Sequence, residues 1–97
     1  MIVRICGTRW KVLERTESEL EKICGKKVEG ACIPHLETIY INSELPEHRK
    51  AVAFTHEAIH AVCDYIGLMQ KSEWIAESLG PALYDLISDF PEKYRRS

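Results

Sequence analysis

No stretch of the chain approaches the roughly 18 consecutive apolar residues of a membrane-spanning helix, so a membrane partner is not expected. The opening Met1-Ile2-Val3-Arg4-Ile5 is charged too early and is too short for a secretory signal. A cytoplasmic location is the resulting expectation. No basic stripe is present: net charge is -2, and the only local excess is Lys93, Arg95 and Arg96 near the end. That speaks against nucleic acid as a partner. No two cysteines form a C-x-x-C pair, which excludes a cysteine zinc knuckle. Without a secretory signal the four cysteines, Cys6, Cys24, Cys32 and Cys63, read as free thiols rather than disulfides. Repeats, linkers and low-complexity segments are also missing.

What is present is an ordinary globular balance, 45% apolar and 29% charged, in 97 residues. That length suits one domain, residues 1–97, whose small core a bound metal would help to hold. Residues 2–14 read as a strand pair or one bent strand, punctuated at Gly7-Thr8. Thr16 as N-cap with Glu19 three residues on is a capping-box pattern, and Gly25 suits the far end of a short helix. Val28 to Pro34 and Glu37 to Asn42 read as a hairpin, with Ile39 and Ile41 on one face and Thr38 and Tyr40 on the other. A long helix is expected from Pro46 to about Gly67, because Ala51, Phe54, Ala58, Ala61, Val62 and Tyr65 recur at helical spacing. A second runs from near Ser72 to about Asp89, with Ile75, Leu79, Leu83, Leu86 and Phe90 as its apolar stripe. Pro81 cannot donate to the carbonyl of Glu77, so a kink is expected there. The fold class is α+β: a small domain with a short sheet packed on two helices.

The chemistry is concentrated in Thr55-His56-Glu57-Ala58-Ile59-His60-Ala61-Val62. Residues four apart share a helix face, so His56 and His60 can offer two imidazoles to one metal ion. Glu57, one position on, can reach a water at that metal without binding the metal itself. A chain of this composition contains such an H-E-x-x-H run by chance in about 2% of cases, so its place on the most amphipathic segment matters as much as the pattern. Catalytic zinc usually takes three protein ligands, and Asp64, Glu73 and Glu77 lie downstream within reach. Asp64 is one turn past His60 with a short side chain, which suits it to orient His60 rather than to ligate. Glu73 falls in the first turn of the next helix, where the helix dipole explains a carboxylate. Glu77 faces away from the core stripe, with the small Gly80 along the same face, and is the favoured ligand. His35, Tyr40, Tyr65 and Tyr84 are candidate oxyanion donors, although packing or loop roles account for each. The segment Thr38–Asn42 is expected at the sheet edge, where an extended peptide can add as a strand.

The run His56 to Tyr65, followed by Ile75-Ala76-Glu77-Ser78-Leu79, resembles the active-site and ligand helices of thermolysin-like gluzincins, and the short length resembles the minigluzincins of archaea and phages. The likeness covers roughly residues 38–90 and implies a zincin-like domain with an about three-stranded sheet packed on the H-E-x-x-H helix and the following ligand helix. It implies a zinc-dependent endopeptidase with one Zn2+ per chain held by His56, His60 and Glu77, with Glu57 as catalytic base and a peptide or unstructured protein as substrate. It also implies a latent form in which the tail Pro91–Ser97, with Tyr94, lies near the cleft. The thermolysin pattern has an aspartate four residues after the ligand glutamate. This chain has Pro81 there, which leaves Asp64 or a backbone carbonyl to support a zinc histidine. The alternative from another class is a catalytically weak, zinc-stabilised interaction module, which would not need Glu57.

Overall fold

In a computed structural model, residues 1–89 are described, and they form a four-stranded sheet covered by helices. Strands β1 (Ile2–Ile5) and β2 (Thr8–Arg15) are an antiparallel hairpin. Its two turn residues, Cys6 and Gly7, both take positive φ (51° and 81°), the backbone of a tight turn that matches strand twist. The segment 2–14 is therefore a strand pair and not one bent strand. Helix α1 (Glu17–Cys24) begins with the expected capping box, Thr16 accepting from the Glu19 amide and Glu19 from the Thr16 amide, and ends on left-handed Gly25.

Strand β3 (Gly30–Ile33) and strand β4 (Thr38–Asn42) are antiparallel, joined by a short 3-10 turn at Pro34–Leu36. The strand order is β1-β2-β4-β3, with β4 parallel to β2, so the sheet has one strand more than the sequence implied. It also corrects the expected edge. β4 is an inner strand, hydrogen-bonded on both sides, and the edge strands are β1 and β3. Thr38, Ile39, Ile41 and Asn42 are all buried, which fits an inner strand with a neighbour on each side.

Helix α2 (Glu47–Ile66) follows β4, with Pro46 as its N-cap and Gly67 closing it at φ 79°. Its line Ala53–Glu57–Ala61, one residue per turn, faces the sheet and is buried throughout. Ala53 and Ala61 pack with Trp10, Val12, Ile39 and Ile41 in the main core. A second line, Ile59 and Cys63, meets Ala76 of helix α3 (Ser72–Ser88) in a smaller core flanked by Ile75 and Leu83. The layers are thus sheet, α2, α3. A methyl group built on Gly80 would stand 3.7 Å from Ile59 Cδ1, so this glycine allows close but not strained packing. α3 continues through Pro81, the position at which a kink was expected. Phe90 and the tail from Pro91 to Ser97 lie outside the described residues.

Candidate metal centre

α2 presents three successive chemical faces. Its sheet-facing line carries Glu57, its α3-facing line carries Ile59 and Cys63, and His56 and His60 stand between the two. Two imidazoles one turn apart therefore project from the seam where sheet, α2 and α3 meet. Their Nε2 atoms are 3.2 Å apart. The His60 side chain is 12% exposed and that of His56 30%. Burial lowers the His60 pKa, with the Glu73 carboxylate opposing the shift. The neutral imidazole that results is the form that binds metals.

The carboxylate brought to this pair is that of Glu73, not that of Glu77. Glu73 Oε1 lies 3.0 Å from His56 Nε2, and Oε2 lies 3.6 Å from His60 Nε2. One donor atom from each of His56, His60 and Glu73 lies within 4.8 Å of the others, a group that can hold a metal ion. Glu77 is exposed and outside this group. The reason is the register of two antiparallel helices. Each turn along α3 moves about 5.4 Å toward the start of α2, so Glu77 lies a turn past the imidazole pair. Glu73 was explained by the helix dipole alone, and that explanation hid its proximity to His56.

Glu57 is buried, 8% exposed. Desolvation pushes its carboxyl up to about 7; the His56 imidazole opposes the rise and the Glu73 carboxylate adds to it. Edge strand β3 passes directly against it. A methyl group on Gly30 would sit 3.1 Å from Glu57 Cγ and 3.0 Å from the Tyr40 carbonyl oxygen, so only glycine fits there without displacement. Sequence reasoning did not single out Gly30; a glycine inside a strand pattern was the available signal. Burial, with the charges of Glu57 and Asp64, pushes the Cys32 thiol up to about 12.

These groups open onto a cleft of about 310 Å³ lined by Val28, Gly30, Val52, His56, Glu57 and Glu73. Glu29 and Arg49 form an ion pair at its rim. A larger cavity, about 550 Å³, lies beside Val12, Ile41, Ala51 and Phe54, but it carries no histidine.

The remaining expected site residues lie elsewhere. Asp64 is exposed and borders a separate small cavity with Ile5, Trp10 and Ala61; among the described residues no hydrogen bond joins it to His60. The Tyr84 hydroxyl and His48 Nδ1 are 3.3 Å apart, away from the imidazole pair. Tyr40 lies under the Arg15 guanidinium, Tyr65 is 66% exposed, and His35 is exposed in the 3-10 turn. None of the four lines the cleft. Among the described residues no helix is long and apolar enough to cross a membrane. Comparison with known proteins finds no match: no family model, no curated protein and no solved structure corresponds to this chain.

Proposed function

We propose that this protein is a zinc-dependent endopeptidase, with His56, His60 and Glu73 holding the metal and Glu57 as general base. One observation carries the reading: a buried carboxyl adjoins a group of two imidazoles and one carboxylate, at a cleft beside a sheet edge. Two imidazoles and a carboxylate suit zinc, and three protein ligands leave a fourth position open for catalysis. A glutamate supplied by the next helix also keeps the likeness to gluzincins, with Glu73 in the role first given to Glu77.

Zinc bound there would supply a Lewis acid for a peptide carbonyl and lower the pKa of a water to about 7. The chain's own residues do the rest. A nearby cation lowers the Glu57 pKa, so the ionised carboxylate is the form that acts. A Glu57 oxygen takes a proton as the water oxygen bonds to the carbonyl carbon. It then gives that proton to the amine nitrogen as the C–N bond breaks.

Edge strand β3 supports a peptide substrate. The Asn42 amide donates to the Glu29 carbonyl at 2.9 Å, so Glu29, Ala31 and Ile33 are the inward-bonding positions of β3. Gly30 and Cys32 alternate with them and direct their amides and carbonyls outward, where an extended chain can pair. A metal-stabilised interaction module has no need of a buried acid beside its metal, and Glu57 favours the enzyme for that reason.

The test is hydrolysis of an unstructured protein, followed by mass spectrometry of the products. Cleavage by the zinc-loaded chain that stops with a chelator and returns with zinc supports the proposal. Zinc binding with no cleavage of any unstructured substrate rejects it in favour of the interaction module.

A further inference from the structure

The buried line of α3 is Ser72–Ala76–Gly80, continued by Leu83. At 100° per residue, Glu73 falls on one side of that line and Ile75, Leu79, Ala82 and Leu86 fall on the other. These four recur at intervals of four, three and four residues, the spacing of a coiled-coil seam. Leu79 is 51% exposed and Leu86 is 61% exposed, and Ala82 is exposed as well. On α2, Val62 and Ile66 lie on the flank opposite His56 and His60 and add to the same apolar surface, 37% and 55% exposed. A helix apolar on both its buried line and an adjoining flank is built for a second partner.

We infer that this flank joins two copies of the chain, with α3 packed antiparallel against its counterpart about a two-fold axis between Gly80 and Pro81. Reflecting the seam through that point sets Ile75 opposite the partner's Leu86, and Leu79 opposite the partner's Ala82. Each contact occurs twice. The large Leu79 meets a small alanine, as interdigitating packing requires.

Charge complementarity fixes the occupant as a second copy and fixes its direction. Lys71 and Asp89 are about five helical turns apart and so lie on the same side of α3 at its two ends. Both are exposed, and among the described residues neither has an ion-pair partner in its own chain. In the antiparallel arrangement Ser72 stands opposite the partner's Asp89, and Lys71, one residue or about 1.5 Å along the axis from it, is the nearest cation to that carboxylate. A parallel arrangement would bring like charges together. The contact strip is short: α3 has 17 residues, about 25 Å of helix and about 10 Å wide, on the order of 250 Å² on each copy in projection, and the Val62–Ile66 edge of α2 extends it. The metal group lies on the opposite flank and is left open.

The test is the mass of the intact chain by light scattering over a concentration series, with circular dichroism to verify folding. A dimer is expected, and Leu79→Glu is expected to give a folded monomer with unchanged zinc content. Lys71→Glu is expected to weaken the dimer about two- to fivefold per pair, with recovery in Lys71→Glu/Asp89→Lys. An oxidised Leu79→Cys/Ala82→Cys chain is expected to cross-link into dimers beyond the level of the unsubstituted chain, a readout that survives if Leu79→Glu fails to fold. A monomer at concentrations up to about 1 mM, an assembly larger than a dimer, or a dimer indifferent to both the charge reversal and the cysteine pair would overturn the inference.

Discussion

Gly30 and Glu57 are in contact across the gap between the edge strand and α2: a Cβ on Gly30 would stand 3.1 Å from Glu57 Cγ. The backbone on which a peptide would pair and the carboxyl proposed as base are thus parts of one close-packed wall. Gly30→Ala is expected to displace the Glu57 side chain, since the Tyr40 carbonyl at 3.0 Å blocks the other direction. The expected cost is about 1–3 kcal/mol of stability, the usual range for overpacking, together with slowed hydrolysis. Zinc content should stay at that of the parent, because the atoms nearest a Gly30 Cβ belong to Tyr40 and Glu57 and not to a metal donor. Chemical denaturation and metal analysis check this, and a fully active, fully stable Gly30→Ala would show the contact to be unimportant.

Glu73→Ala and Glu77→Ala separate the two candidate ligands. Loss of residues that merely support metal ligands typically costs about 10–100-fold in affinity, so loss of Glu73 itself should cost at least that much. Glu77→Ala should bind zinc as the parent does. The same pair read out in melting temperature should show that saturating zinc stabilises the parent, by about 2.7 kcal/mol at 100 times the dissociation constant, and stabilises Glu73→Ala far less. Competition against a zinc-sensitive dye measures the first quantity. Equal affinities, or the reverse order, would restore Glu77.

Much of this site was legible in the sequence, and what was not has a physical reason. Helical periodicity, Pro46 and Gly67 delimited α2 within a residue, because those signals are local. The Thr16–Glu19 box did the same for α1. The placement of β4 between β2 and β3 was not local: the β2–β4 pairing joins strands separated by α1 and β3, and no short-range pattern encodes it. Thr38 and Asn42 are buried on that inner strand, whereas the alternation of Ile39 and Ile41 with Thr38 and Tyr40 shows only that the strand has two faces and not which strands flank it. The choice between Glu73 and Glu77 turned on one helical turn of register. The turn between Gly67 and Lys71 sets that register, and sequence periodicity does not.

The metal-free protein should carry a pH signature of Glu57. Its folded pKa, about 7, is above the ordinary 4.5, so folding favours the protonated acid. That contribution is fully present below pH 4.5 and is lost as pH rises through about 7. At about 1.36 kcal/mol per pKa unit, it amounts to about 3 kcal/mol between those limits. Urea unfolding of the chelated protein at pH 5 and pH 8 should therefore show Glu57→Gln gaining relative to the parent at the higher pH. A difference that does not change with pH would mean that Glu57 is not desolvated as described.

Cys6 and Cys32 should differ in reactivity. Cys6 is exposed in the β1–β2 turn. Cys32 lies on β3 with its thiol pushed up to about 12, so it stays protonated at neutral pH, and the thiolate is the reactive form. Timed alkylation of the native protein at pH 8, located by peptide mass spectrometry, should label Cys6 well before Cys32. Comparable labelling rates would contradict the raised pKa of the Cys32 thiol.

The central claim is that Glu57 moves the proton in a hydrolysis carried out at the His56–His60–Glu73 group. The most direct measurement is the rate of peptide cleavage by zinc-loaded Glu57→Gln against the zinc-loaded parent, with zinc content determined on the same samples. The account predicts equal zinc and a rate lower by about 10²–10⁴-fold, the usual contribution of a general base. Equal rates at equal zinc content would contradict it.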